Sequence, residues 1–281
     1  MQKFFYTLFF IYFCHTSIAQ DTLLLITGRQ IVVSSVDLSD NTIAYRNIKD
    51  KSKLKTIDPG RVFSVIYKVG NERIIYQPDS LDPLEFKVDE MRNFIKGEQD
   101  ASKLYKNNFI KAAGIGIGAG FAYFTFYGLV GPPLYSTIVG SYSPDVDKQL
   151  SFKVEGDAAE ELGISSGKYL NNISGKNSSP VIKKDQVLKL SNKTIKFNQD
   201  TNLDSTISII NSQFNCIRVN ASNENGKIKL YKSDSPALIS AGAYQEGFEK
   251  RVRDYKIRNA MVSGLVGFVS GIITYSILFK K

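Results

Sequence analysis

Two stretches of twenty uncharged residues constrain this chain more than any other feature: residues 112–131 (AAGIGIGAGFAYFTFYGLVG) and 260–279 (AMVSGLVGFVSGIITYSILF). About 20 apolar residues match the hydrocarbon core of a bilayer, so both are expected to be membrane segments. Each follows a charged stretch with helical spacing. Before the first, Val88, Met91, Phe94, Ile95, Ala101, Leu104 and Tyr105 recur every three to four residues with charges between them. That pattern predicts an amphipathic helix, weakened at Gly97, running directly into the apolar segment. Before the second lies the charged stretch 244–259 (YQEGFEKRVRDYKIRN). An offset of 150 residues places Gly97 on Gly247, Tyr105 on Tyr255, Lys106 on Lys256 and Gly114 on Gly264, which reads as an internal repeat of two units, 86–145 and 240–281.

Small residues recur every four positions in both apolar segments. Gly114, Gly118 and Ala122 share one face of the first, Gly116 and Gly120 another, and Ser263, Gly267 and Gly271 share a face of the second. Helices lacking side chains along one face approach closely and gain dispersion contacts in lipid. The segments are therefore expected to pair through Gly114/Gly118 and Gly267/Gly271, or to build a homo-oligomer. After the first segment Pro132-Pro133 is expected to break the helix. Residues 134–142, still uncharged, are too short to span, and a re-entrant return is one reading. The basic cluster Lys250, Arg251, Arg253, Lys256 and Arg258 precedes the second segment and suits binding of lipid headgroups at the membrane surface.

The rest of the chain is rich in strands. Residues 22–27, 31–37, 42–46, 61–68 and 73–77 alternate between turn signals, with a basic polar loop expected at 49–55 (KDKSKLK). Five strands within 20–80 predict a small antiparallel barrel or sandwich. A second β-rich module is expected at 150–235, inserted between the two helical units, with strands at 181–182, 187–190, 194–197, 206–210, 216–219 and 227–231 and a short helix at 157–162. The predicted class is α+β.

The N-terminus bears on compartment and chemistry. Lys3, the apolar run 4–13 and the small residues Ser17 and Ala19 have the layout of a secretory signal, with cleavage expected after Ala19. The only histidine, His15, and one of two cysteines, Cys14, lie within it, leaving Cys216 alone. A mature chain so composed has no Ser-His or Cys-His nucleophile pair and no intrachain disulfide. The formal net charge is +9. For an exported protein that balance points to anionic lipid or wall polymer rather than nucleic acid. The run Gly114–Ala119 imitates a dinucleotide loop, but a charged stretch precedes it and the next acid is Asp145, so no cofactor is implied.

Residues 21–76, with DTLLLITGRQI, TIAYR and RVFSVIY followed by Gly-Asn-Glu, and the ending Tyr244-Gln245-Glu246-Gly247-Phe248 before a final apolar segment, carry a resemblance. The chain resembles a group of uncharacterised exported Bacteroidota membrane-associated proteins, whose signals end in Ala-Gln as Ala19-Gln20 do here. The likeness covers about 1–145 and 240–281, while 150–231 departs from it. It implies an envelope location and no activity. The expected function is a non-enzymatic, membrane-tethered envelope protein with periplasmic β modules that bind a protein or polymer partner. The alternative is a carboxylate-dependent cell-wall hydrolase using acids such as Glu155, Asp157, Glu160 and Glu161.

Overall fold

The structure is a computed structural model. It describes residues 20–39, 42–48, 50–79, 81–151, 154–155, 181–182, 184–185, 187–190, 193–196, 200–202, 205, 208, 220–224 and 227–278. The signal at 1–19, the short helix at 157–162, all but Ser208 of the strand at 206–210, the strand at 216–219 and Cys216 lie outside these. The chain is α+β and divides into two compact units, up to Val88 and from Asp89.

The first unit is one antiparallel sheet of six strands: β1 (Asp21–Leu25), β2 (Gln30–Leu38), β3 (Ile43–Asn47), β4 (Asp50–Ile57), β5 (Val62–Ile66) and β6 (Glu72–Ile74). Their order is β4-β3-β2-β1-β5-β6, so β4 and β6 end the sheet and, among the described residues, it closes into no barrel. Alternating apolar residues build its core, with Leu23, Val33, Ile43, Val62 and Val65 almost fully buried on one face. Register shifts at Leu24/Leu25, Val33/Ser35 and Arg46/Asn47 bend the strands, as bulges do. Asp58 caps the turn before β5, its carboxylate accepting from the Gly60 N–H at 2.8 Å.

The expected loop at 49–55 is instead strand β4, paired along its length with β3 through Tyr45↔Lys55 and Arg46↔Leu54. Its lysines hid it. Lys53 and Lys55 stand exposed at the sheet edge, where lysine discourages pairing with other chains. The apolar alternation that marks a buried strand is therefore missing.

The second unit is built on helices: α1 (Val88–Leu104), α2 (Asn108–Ala122), α3 (Gly131–Gly140), α4 (Val146–Leu150) and α5 (Gly242–Leu278). The expected continuous passage from amphipathic to apolar helix is interrupted at 105–107, where Asn107 starts α2 by accepting from the Ile110 N–H at 3.3 Å. Nor is the first apolar segment one helix. It holds most of α2, a 3-10 turn at Thr125–Val130, and the first residue of α3. Pro132 and Pro133 open α3 rather than end a helix, since a first turn needs no N–H from those positions.

Between α4 and α5 the described residues include β7 (Val154–Glu155), β8 (Val181–Ile182), β9 (Val187–Leu190), β10 (Lys193–Lys196), β11 (Thr201–Asn202), β12 (Asn220–Glu224) and β13 (Lys227–Tyr231). They pair as β10-β9-β7, β11-β8 and β12-β13. Ser151 bridges to Tyr231, so the segment between them leaves and rejoins the helical unit at one place.

Candidate functional site

Residue by residue, the helical unit is organised by close backbone contact with α5. A Cβ on Gly97 would overlap the carbonyl of Tyr244, and one on Gly247 would overlap the carbonyl of Phe94. These two contacts exchange under the 150-residue offset (Gly97 to Gly247, Phe94 to Tyr244). Glycine at mid-helix costs about 1 kcal/mol relative to alanine. Here it permits an approach that any side chain would prevent, and α1 runs through Gly97 unbroken rather than weakened.

The same relation continues along α2. A Cβ on Gly118 would overlap the carbonyl of Gly264, and one on Gly267 the carbonyl of Ile115. These exchange under an offset of 149 (Gly118 to Gly267, Ile115 to Gly264). The extra residue in the first copy is taken up where 105–107 interrupts the helix, while α5 passes the equivalent point without a break. Gly114 accordingly lies opposite Ser263, one residue short of the expected Gly264. From the first set (94–97 with 244–247) to the second (115–118 with 264–267) both chains advance together, so the path through α1 and α2 runs parallel to α5.

The structure thus places Gly114, Gly118 and Ala122 toward α5, and Gly267 and Gly271 toward α2, with Gly271 directly over Ala122 and Ala119. Gly116 and Gly120 are on the open side of α2, with nothing within 4 Å of a Cβ. The chain then turns at Tyr123 and Phe124, where the Tyr123 ring meets Tyr275 edge-on at 6.1 Å. It returns antiparallel along α5: Pro132 packs on Gly264, and Gly140 on the Ile257 side chain.

Below this hairpin the helices share a core of Ala101, Val146, Leu150, Tyr231, Tyr244, Phe248 and Val252. Acids are buried beside it. The Asp100 carboxylate accepts from the Ser233 hydroxyl at 2.5 Å and the Tyr244 hydroxyl at 2.8 Å, with the Lys96 ammonium at 3.8 Å. Glu98, whose side chain is 2% exposed, lies 3.4 Å from the Lys250 ammonium, and its Oε2 has no hydrogen-bond partner among the described residues. Sequence reasoning missed this cluster. Its only signal was two acids, Glu98 and Asp100, among the inward positions of α1.

The five basic residues separate. Lys250 is committed to Glu98 and lies 4.9 Å from the centre of the Phe94 ring. Arg251 donates from Nε to the Ser102 hydroxyl at 3.0 Å, and Lys256 donates to the Tyr142 carbonyl at 2.8 Å. Only Arg253 and Arg258 of the five are exposed, Arg258 over the Tyr255 ring at 4.9 Å. Lys106 and Lys111, at the foot of α2, are also exposed. Of the acids raised for a hydrolase, Glu155 ends β7 and the other three lie outside the described residues.

Burial holds the Glu98 carboxyl above the usual carboxylate range, against the lowering pull of Lys250. The folded protein therefore binds this proton more tightly than the unfolded chain, and stability falls as pH rises from the ordinary carboxylate pKa. Glu98→Gln is expected to flatten that fall and to leave the protein no less stable at neutral pH. Denaturation followed from pH 4 to pH 8 checks it. A variant weaker at neutral pH by more than about 1 kcal/mol would mean that attraction to Lys250 outweighs burial.

No protein family, curated protein or solved structure matches the chain. One helix among the described residues, α5, is long and apolar enough to cross a membrane, and only 22% of its most apolar stretch is buried within the protein.

Proposed function

We propose that this is a non-enzymatic cell-envelope protein that holds a small β module at a membrane and offers it to a protein or polymer partner on the non-cytoplasmic side. The observation that carries the reading is α5. Its first half is charged and packed into the polar base, whereas residues 259–278 carry no charge and leave Val262, Val266, Val269 and Ile273 exposed. Twenty helical residues extend about 30 Å, the depth of a hydrocarbon core. Water would penalise such a surface, and lipid would not. The signal-like N-terminus supports export, and the loss of His15 with it supports a binding rather than a catalytic role. The exposed β6 edge of the sheet, Glu72–Ile74, supports partner recognition by strand addition.

Alkaline carbonate extraction of cell membranes tests the tether. The full chain is expected to stay in the pellet, and a chain lacking residues 260–281 to lose a large part of that retention. Val266→Arg with Val269→Arg gives an independent check that keeps the glycine face, because each central arginine costs roughly 3 kcal/mol in a bilayer. Release of the intact protein by the same wash would overturn the reading.

A further inference from the structure

We infer that the α2–α3 hairpin is itself a re-entrant membrane element, so that α5 enters the bilayer inside a three-helix wedge rather than alone. This rests on the membrane reading of α5 and goes beyond it, because neither leg of the hairpin is long enough to be taken for a span: α2 has 15 residues and α3 has 10.

Four observations converge on lipid as what covers the hairpin. First, it carries no charge between Lys111 and Asp145, although its outward surface is large. Phe124, Tyr127, Val130, Leu134 and Ile138 are all more than half exposed, Tyr127 by 82%. Second, this surface continues that of α5, since Gly114 and Gly118 seat α2 on Ser263 and Gly264, and Pro132 seats α3 on the same glycine. A bilayer around α5 cannot avoid helices in backbone contact with it. Third, both feet of the hairpin stand level with the start of the uncharged part of α5. Gly140 rests on Ile257, and Lys256 holds the Tyr142 carbonyl. Exposed Lys106, Lys111, Arg253 and Arg258 gather at that level, where they suit anionic headgroups. Fourth, the turn comes at the right depth. From Asn108 to Phe124 a helical path rises about 24 Å, which stops short of the far side of a 30 Å core. Backbone at that depth must find its hydrogen-bond partners within the protein. The turn does so as a 3-10 helix, Thr125–Val130, with Gly128 against the Phe121 carbonyl and the Phe268 ring.

The chain contains no tryptophan, so single tryptophans report depth without background. Phe124→Trp at the tip, Leu134→Trp on the return leg and Val266→Trp on α5 would each be made in the full chain and reconstituted into phosphatidylcholine/phosphatidylglycerol vesicles. Some vesicles carry bromine near the headgroups and others carry it deep on the acyl chains. All three are expected to be quenched by deep bromines, with blue-shifted emission. The return leg keeps the test independent of whether the tip tolerates tryptophan. Quenching at 266 with water-like emission at both 124 and 134 would overturn the inference and leave the α5 tether standing. A hairpin covered by a second copy rather than lipid would give blue-shifted but unquenched tryptophans at 124 and 134, which also overturns it. Absence of quenching at all three would overturn the membrane reading itself.

Discussion

Leucine in place of Gly118 is expected to separate α2 from α5 and to cost about 3 kcal/mol or more, the upper range for overpacking. The Cβ of any residue there would fall on the Gly264 carbonyl and lie 2.8 Å from the Phe268 nitrogen. Both obstacles are helix backbone, which cannot swing aside as a side chain can. In lipid no hydrophobic drive would restore the contact, because the apolar faces set free are solvated equally well by acyl chains. Gly116→Leu is the control. Two residues away on the same helix, a Cβ at Gly116 meets nothing within 4 Å. Its expected effect is within about 0.5 kcal/mol, or a gain approaching 1 kcal/mol from helix propensity. Denaturation in detergent compares the two. A second readout is the pair Gly114→Cys with Ser263→Cys in a Cys216→Ser background. A Cβ at 114 would lie 3.1 Å from that of Ser263, near the spacing of about 3.8 Å that a disulfide uses. The bond is expected to form within one chain and to be lost when Gly118→Leu is added. Equal effects from leucine at 116 and 118 would show that the glycine face is not what holds the helices together.

The helical repeat was visible in the sequence because glycine spacing reports backbone approach directly. What the sequence did not disclose was its register. Gly97 and Gly247 follow the 150 offset, but Gly118 and Gly267 follow 149. The slip sits at 105–107, where one copy spends a residue on a capped break and the other continues as helix. Composition cannot distinguish the two, since Tyr105-Lys106 and Tyr255-Lys256 are the same pair. The end of α2 was hidden for a related reason. Residues 112–131 are apolar throughout, and nothing in apolarity separates a helix that continues from one that turns at Tyr123.

In the sheet, strands with an inward apolar face were legible and β4 was not. Ile43, Val33 and Val65 announce their strands through alternation with polar neighbours. At Lys53, Leu54 and Lys55 all three side chains are exposed, so the pairing is carried by backbone and by register with β3. A barrel or sandwich was the expectation because five short strands joined by short turns suggest a highly curved sheet. Closure would have required β4 to meet β6, and each ends the sheet instead.

The second large effect is expected at Asp100, where alanine should cost on the order of 3 kcal/mol. Its carboxyl is 1% exposed and takes hydrogen bonds from Ser233 and Tyr244, so it ties α1 both to the residues that follow β13 and to α5. Removing it takes the carboxylate acceptor from two hydroxyls in a buried site, leaving Tyr244 with the Ser233 hydroxyl at 3.4 Å and Ser233 accepting from the Ser235 N–H. Asn in its place keeps the shape but brings an amide that donates, so at best part of the loss is recovered. Tyr244 supplies an independent readout. Burial, and then the charge of Asp100, push its phenol well above the ordinary range. Because the folded state keeps this proton longer than the unfolded chain, the contribution is fully present below about pH 10 and is lost as pH rises further. Tyr244→Phe is therefore expected to cost about 1 kcal/mol at neutral pH and to remove the alkaline loss. Asp100→Ala is expected to cost more at neutral pH and to shift the alkaline loss without abolishing it, since burial remains. Denaturation of the wild type and both variants from pH 7 to pH 11 separates the two. If Asp100→Ala proves neutral while Tyr244→Phe is costly, the base is held by Tyr244's packing with Phe248 and Val252, and the carboxylate is a passenger.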